Sequence, residues 1–214
     1  MSATTKAMTA LLLAGGKSRR MGQDKRFLEI GGRTLLERAV SVLEPLFAEV
    51  LLVVATPDAR LASERYRVVT DLVPGCAAVG GLFTGLSLAA HPAVFVAACD
   101  MPLLNPALIE RMAALEPEAD IVMAKLATGL QPMHARYGRA CLPHVERMVR
   151  SGRLKLQDLV EEQLLRVRLM PEAEFQEIEL LSFMNVNTPA DLELVRKLLA
   201  DRTEPTGRSG TGRR

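Results

Sequence analysis

A short apolar run, Ala10–Leu13, ends on two adjacent glycines and then on a stretch crowded with cations, and this junction limits what the chain can fold into. Four consecutive apolar residues bounded by a turn signal read as a buried strand. Gly15 and Gly16 let the backbone turn sharply and approach a ligand with no Cβ in the way. Lys17, Arg19, Arg20, Lys25 and Arg26 put five cations in ten residues, opposed by Asp24 alone. A glycine turn at a strand end, with backbone N–H groups and cations converging on it, suits a polyphosphate. The alternative is a solvated basic loop after an edge strand. Neither G-x-x-x-x-G-K-[ST] nor G-x-G-x-x-G occurs, which disfavours a kinase-type P-loop and an ordinary dinucleotide enzyme.

The rest of the chain alternates strand and helix patterns, so the expected fold is α/β, a mostly parallel sheet with helices on both faces. Strands are expected at 8–13, 50–55, 67–69, 94–98 and 120–124, with an extended stretch at 131–137 and one or two strands within 166–186. Thr34 reads as the N-cap of a helix with Leu36, Ala39, Val40, Leu43 and Phe47 on one face. Residues 72–81, LVPGCAAVGG, read as a Gly/Pro-rich loop, followed by a helix ending before Pro92. Asn105-Pro106 opens another helix, with the Pro at its first position. Two helices are expected between 139 and 162, and Thr188-Pro189 opens the last.

At 214 residues the simplest organisation is one domain over 1–200, followed by a disordered tail at 201–214. The net charge of +2 belongs to that Arg-rich tail, because the body carries 23 cations and 23 anions. A neutral body with 4% aromatics and no Trp argues against a nucleic-acid surface. Cys76, Cys99 and Cys141 are widely spaced and odd in number, as in a reducing compartment. Cys99 fits a core position better than a nucleophile. No signal peptide and no run of 18 apolar residues is evident, so the expected location is the cytoplasm, with no membrane contact. The isolated His91, His134 and His144 form no zinc pattern, and no G-x-S-x-G suggests a hydrolase.

In open parallel sheets ligands lie beyond the carboxyl ends of the strands. The informative residues fall there: the glycine turn, Asp71, Asp100, and later Asn185 and Asn187. Asp100 follows the buried run VFVAAC and needs a partner. It is either a turn cap for Met101-Pro102 or a Mg2+ ligand, since magnesium takes one or two carboxylates plus phosphate oxygens and water. Asn187 reads as a second oxygen ligand, directly or through water, and Asn187 or Thr188 reads as the cap of the last helix; the two readings can coexist. Lys25 would hold phosphates as a point charge and Arg20 as a planar fork, with Lys17 a further candidate.

LAGG followed by RMGQDK, with ACDMPLL at 98–104 and NVNTPADL at 185–192, resembles the nucleotidyltransferases of Rossmann-like fold. Within that group the combination is similar to the molybdenum cofactor guanylyltransferase family. The resemblance runs from about residue 8 to residue 199. It implies a three-layer nucleotidyltransferase fold and transfer of GMP from GTP to the phosphate of molybdopterin, the molybdenum cofactor, with Mg2+ as cofactor and pyrophosphate as second product. Molybdoenzymes or cofactor-delivery proteins would be partners.

The resemblance further implies that Lys25, Arg20 and Asp100 are catalytic. Leu13, Ala14, Gly15, Gly16, Lys25, Asp71 and Asp100 would bind the nucleotide, and Asp100 and Asn187 the metal. Asp71 matches a guanosine-associated position, its alternative being a loop cap. The family's Gly-Pro pair is replaced here by Ala77 and Ala78, and Ala55 and Thr56 stand where an Asn is common. His134 falls in an acceptor-side loop, though a structural role is favoured. The rival readings are a cytidylyltransferase of the same fold, against which the second glycine of LAGG speaks, a sugar-1-phosphate nucleotidyltransferase, and a non-catalytic nucleotide-binding subunit that delivers cofactor.

Overall fold

The computed structural model of the chain describes residues 4–14 and 24–203. Strand β1 (Thr9–Leu13) precedes a single 3-10 turn at Lys25–Phe27 and a small hairpin, β2 (Glu29–Ile30) and β3 (Arg33–Thr34). Then come α1 (Leu35–Leu46), β4 (Glu49–Val54), β5 (Arg67–Thr70), α2 (Ala77–Leu88), β6 (Ala93–Ala98) and α3 (Pro106–Ala114). The remainder is β7 (Ile121–Leu126), β8 (Gly129–Gly138), α4 (Leu142–Ser151), β9 (Val167–Pro171), the short α5 (Glu177–Leu180) and α6 (Pro189–Thr203).

Seven strands form one sheet in the order β5-β4-β1-β6-β8-β7-β9. Every neighbouring pair is parallel except those made by β8, which runs against both β6 and β7. The β7–β8 connection is a tight turn, and a turn that short can only reverse the chain. The expected mostly parallel sheet with helices on both faces is therefore what the chain forms.

Period-two alternation builds the layers. Ala10 and Leu12 face α1 and α3, packing with Leu36, Val40, Leu43, Leu108 and Met112. Leu11 and Leu13 face the opposite layer, with Val79, Leu82 and Leu86 of α2 and Val145 and Met148 of α4. Because β1 is covered on both faces, it reads as an unbroken apolar run.

The helix starts follow the expected caps. Thr34 accepts from Glu37 N, and the Glu37 carboxylate returns to Thr34 N, a complete capping box. Asn105 Oδ1 accepts from Leu108 N, with Pro106 at the first helical position.

Two expectations are corrected. The segment 72–81 is not all loop, since α2 begins at Ala77 and contains Gly80, Gly81 and Gly85. Those glycines serve approach rather than turning: a Cβ on Gly85 would lie 2.1 Å from Leu11 Cδ2, and one on Gly81 2.9 Å from Leu13 Cδ2. Residues 166–186 hold one strand, within the expected one or two, and then short helical turns. Between 139 and 162 there is one α-helix, with 3-10 turns at Arg139–Cys141 and Leu156–Glu161. Helix α6 continues through Thr203, and residues 204–214 lie outside the described residues.

Candidate active site

The chain leaves β1 for β4 on one side and, later, reaches β6 on the other. A crevice opens between strands whose connections depart in opposite directions. Leu13 pairs with Ala98 across that divide, and Cys99 N donates to Leu13 O at 3.2 Å. Asp100 therefore emerges beside the point where β1 runs out at Ala14. Ala14 N is tied to Val53 O at 3.0 Å, which fixes the exit direction of β1. Gly15, Gly16, Lys17, Arg19 and Arg20 lie outside the described residues.

A small third core brings the remaining parts of the rim together. Ile30 of β2, Leu35, Leu103 from the segment after β6, and Val186 and Val195 around the start of α6 pack into one buried cluster. Val186 N donates to Asp100 O at 2.8 Å. Three segments far apart in sequence are thus fixed around one point, which is the Lys25 ammonium. Lys25 Nζ lies 3.5 Å from Asp100 Oδ2 and donates to Asn187 Oδ1 at 2.8 Å. The partners are 75 and 162 residues away in the chain. Both charged side chains remain reachable, Lys25 at 20% and Asp100 at 27% of full exposure.

The cap of α6 and the Asn187 side chain use different groups. Thr188 is the cap of α6: Asp191 N donates to its Oγ1 at 3.2 Å, and Asp191 Oδ2 accepts from Thr188 N at 2.7 Å. Asn187 contributes only its backbone N–H to that cap, at 2.8 Å from Asp191 Oδ2. Those backbone donors hold the Asp191 carboxyl below the usual carboxylate range. The Asn187 amide is left directed at Lys25.

Asp71 stands at the same rim, following β5, two strands from β1 or about 10 Å by normal strand spacing. Its N–H donates to Val54 O at 2.8 Å, while its Oδ1 accepts from Thr84 Oγ1 at 2.8 Å and from Val73 N at 3.1 Å. The carboxylate thus caps the loop into α2, as the loop-cap reading expected. Arg26, counted at first among the phosphate cations, is bound instead to Asp24 and Asp58.

His134 is fully buried between Phe95 and Phe183, with Nε2 2.8 Å from Ser182 Oγ. Burial pushes its pKa down to about 4, so it is a neutral core group. Cys99 is buried as well, and burial raises its thiol far above the ordinary range, which removes it as a nucleophile.

Lys25, Asp100 and Asn187 bring one cation, one carboxylate and one amide oxygen to a common point. No cluster of three His, Cys, Asp or Glu exists among the described residues. A site with one carboxylate and one neutral oxygen suits a hard divalent cation that completes its shell with phosphate oxygens and water. It could not form a closed protein cage. Asp100 and Asn187 already hold a cation between them, the ammonium, so the donor geometry fits such an ion.

Residues 10–167 match the model of the MobA-like NTP transferase domain. A protein of Pelotomaculum thermopropionicum named "Probable molybdenum cofactor guanylyltransferase" is 36% identical, covering 88% of this chain and 91% of the relative. The molybdenum cofactor guanylyltransferase of Desulfosudis oleivorans is 33% identical over 87% of this chain and 93% of its own length. Among solved structures, molybdopterin-guanine dinucleotide biosynthesis protein A from Archaeoglobus fulgidus superposes with a TM-score of 0.77 at 27% identity, covering 91% of this chain and 99% of that one.

Proposed function

The chain belongs to the family of MobA-like NTP transferase domains, and on that premise we propose that it transfers GMP from GTP to the phosphate of molybdopterin. The products are the guanine dinucleotide form of the cofactor and pyrophosphate. The observation that carries this reading is the meeting of Lys25, Asp100 and Asn187 at the mouth of the β1–β6 crevice.

The reaction joins an acceptor phosphate oxygen to the α-phosphorus of GTP and breaks the bond between that phosphorus and the α,β-bridging oxygen. The electron pair of that bond leaves with pyrophosphate. An acceptor that is already an anionic phosphate needs no strong general base, which agrees with a rim whose described members include no histidine. Catalysis then rests on alignment and charge.

Lys25, with Arg20, neutralises the departing pyrophosphate. Leu13 and Ala14, with Gly15 and Gly16, offer backbone groups to the nucleotide, and Leu13 is held in place by α2. Asp71 belongs to the guanosine side of the crevice while also anchoring the loop into α2. NTP transferases of this kind typically use a divalent metal; Mg2+ is the ion proposed, held by Asp100 and Asn187, and when bound it would offset phosphate charge.

Free thiols at Cys76, Cys99 and Cys141 support a reducing, cytoplasmic setting. No helix among the described residues is long and apolar enough to cross a membrane. The product would pass to a molybdoenzyme or a delivery protein.

The test is label transfer from α-labelled GTP and CTP, side by side, with purified full chain, Mg2+ and molybdopterin. The expected result is label in the product from GTP alone, and loss of roughly two to three orders of magnitude in Asp100→Ala. Transfer from CTP in place of GTP would reassign the nucleotide. Near-normal turnover in Asp100→Ala would remove Asp100 from the mechanism.

A further inference from the structure

Two short turns at the nucleotide rim share one plan. In Asp24-Lys25-Arg26 the aspartate caps the turn, with Oδ1 accepting from Arg26 N at 3.1 Å, and the arginine folds back on it, with Nε 2.9 Å from Oδ1 and Nη2 2.5 Å from Oδ2. In Asp58-Ala59-Arg60 the same bonds recur, with Arg60 N at 3.1 Å and Nε at 2.9 Å from Oδ1, and Nη2 at 2.7 Å from Oδ2.

The two turns are also riveted together. Arg26 Nη2 donates to Asp58 Oδ2 at 3.0 Å, Arg60 Nη2 lies 3.5 Å from Asp24 Oδ2, and the Arg60 guanidinium sits 4.3 Å from the centre of the Phe27 ring. The inner pair of the cluster is well covered, Arg26 at 16% and Asp58 at 14% exposed. Hydrogen bonding from Arg60, with the charge of Arg26 beside it, holds the Asp58 carboxyl down at about 2, so it stays ionised at any working pH. Two cations and two anions alternate and leave no excess charge for a phosphate.

The cluster joins the 3-10 turn that begins at Lys25 to the connection between β4 and β5. Lys25 leaves that turn in another direction, toward Asp100 and Asn187. We infer that Arg26 and Asp58 are positioning residues: they hold the Lys25–Phe27 turn against the β4–β5 connection and so aim the Lys25 ammonium at the triphosphate. The inference rests on the reading of Lys25 as a phosphate-binding group. A bidentate guanidinium spanning two carboxylates fixes direction as well as distance, which a point charge does not.

The electrostatic alternative has the opposite sign. Removing the Asp58 charge makes the rim more positive, and the field alone would draw an anionic nucleotide more tightly. Loss of positioning would weaken it.

The decisive experiment is equilibrium binding of radiolabelled GTP, with Mg2+, to the full chain and to Asp58→Asn, Lys25→Ala and the double variant, with thermal melting recorded beside it. Asp58→Asn should weaken GTP by about fivefold or more. In the Lys25→Ala background the same change should have no further effect. Arg26→Lys keeps the charge but not the fork and should show the same dependence on Lys25, which provides a second reading if Asp58→Asn melts too early.

Unchanged or tighter GTP binding in folded Asp58→Asn overturns the inference. So does equal weakening with and without Lys25, which would assign Asp58 to general stability. If Lys25→Ala alone binds GTP normally, Lys25 does not hold phosphate, and the inference falls with that reading.

Discussion

Gly85→Ala sets two effects of opposite sign against each other, and the structure says which wins. In an exposed helix interior the change would stabilise by about 1 kcal/mol, because Ala is the better helix former. Gly85 is not exposed: it faces β1, and a Cβ there would lie 2.1 Å from Leu11 Cδ2, 2.6 Å from Cδ1 and 2.9 Å from Cγ. Because Cγ is among the close atoms, turning the Leu11 end groups cannot clear the space. Leu11 is fully buried and has nowhere to go without disturbing Leu82 and Val96. Overpacking in a filled core costs about 1–3 kcal/mol, and contacts this short belong at the upper end. The expected net loss is about 2 kcal/mol, or a drop of roughly 4–8 °C in Tm for a chain of this size.

The assay is urea unfolding of the wild type, Gly85→Ala, Leu11→Ala and the pair. Leu11→Ala alone should cost about 2–5 kcal/mol through its cavity. All three close atoms belong to Leu11, so the methyl added by Gly85→Ala should enter that cavity, and the double variant should be more stable than the sum of singles by about 3 kcal/mol, the strain that is relieved. Strict additivity, or a Gly85→Ala protein as stable as the wild type, would refute the close seating of α2 on β1.

His134 contributes a pH dependence whose sign follows from burial. Its folded pKa, about 4, lies below the ordinary 6.5, so the unfolded chain binds the proton first and stability falls as pH drops from 6.5 toward 4. The loss is roughly 3 kcal/mol at most, and urea unfolding at pH 7.5, 6 and 5 should give a flatter slope for His134→Phe; an unchanged slope would clear His134 of the effect. Thr188→Ala and Asn187→Ala should separate stability from chemistry. The first should lose about 1 kcal/mol with its cap and keep its turnover, while the second should melt near the wild type and lose GTP-dependent transfer; the reverse pattern in melting and kcat/KM would exchange their roles.

The parts of the fold that were legible in the sequence are those where one local rule decides. β1, β4 and β6 are covered on both faces, so their apolar runs are unbroken and could be read directly. Thr34 and Asn105 cap helices because a short oxygen-bearing side chain preceding a helical pattern has little else to do there. The start of α2 was missed for the converse reason. Gly80 and Gly81 weigh against a helix locally, yet Gly81 and Gly85 are what let that helix lie on Leu13 and Leu11. Tertiary contact overrides propensity, and no window of sequence contains both partners.

The candidate site divides in the same way. The place of Asp100 at the rim was legible because it follows directly on a buried apolar strand, while its contact with Lys25, 75 residues earlier, was not. Asn187 and Thr188 were not separable, since adjacent residues of the same capping class compete for one role. Only the direction of the Asn187 amide, toward an ammonium 162 residues earlier in the chain, distinguishes them. Arg26 was misassigned because sequence proximity counted it with the phosphate cations, opposed by Asp24 alone. The second anion, Asp58, lies 32 residues on. One signal was there to be seen: Asp-x-Arg occurs at both 24–26 and 58–60, each able to close the same small turn. Two copies of a self-closing turn with equal and opposite charges invite pairing, and pairing of that kind removes both arginines from the pool of cations a triphosphate could use.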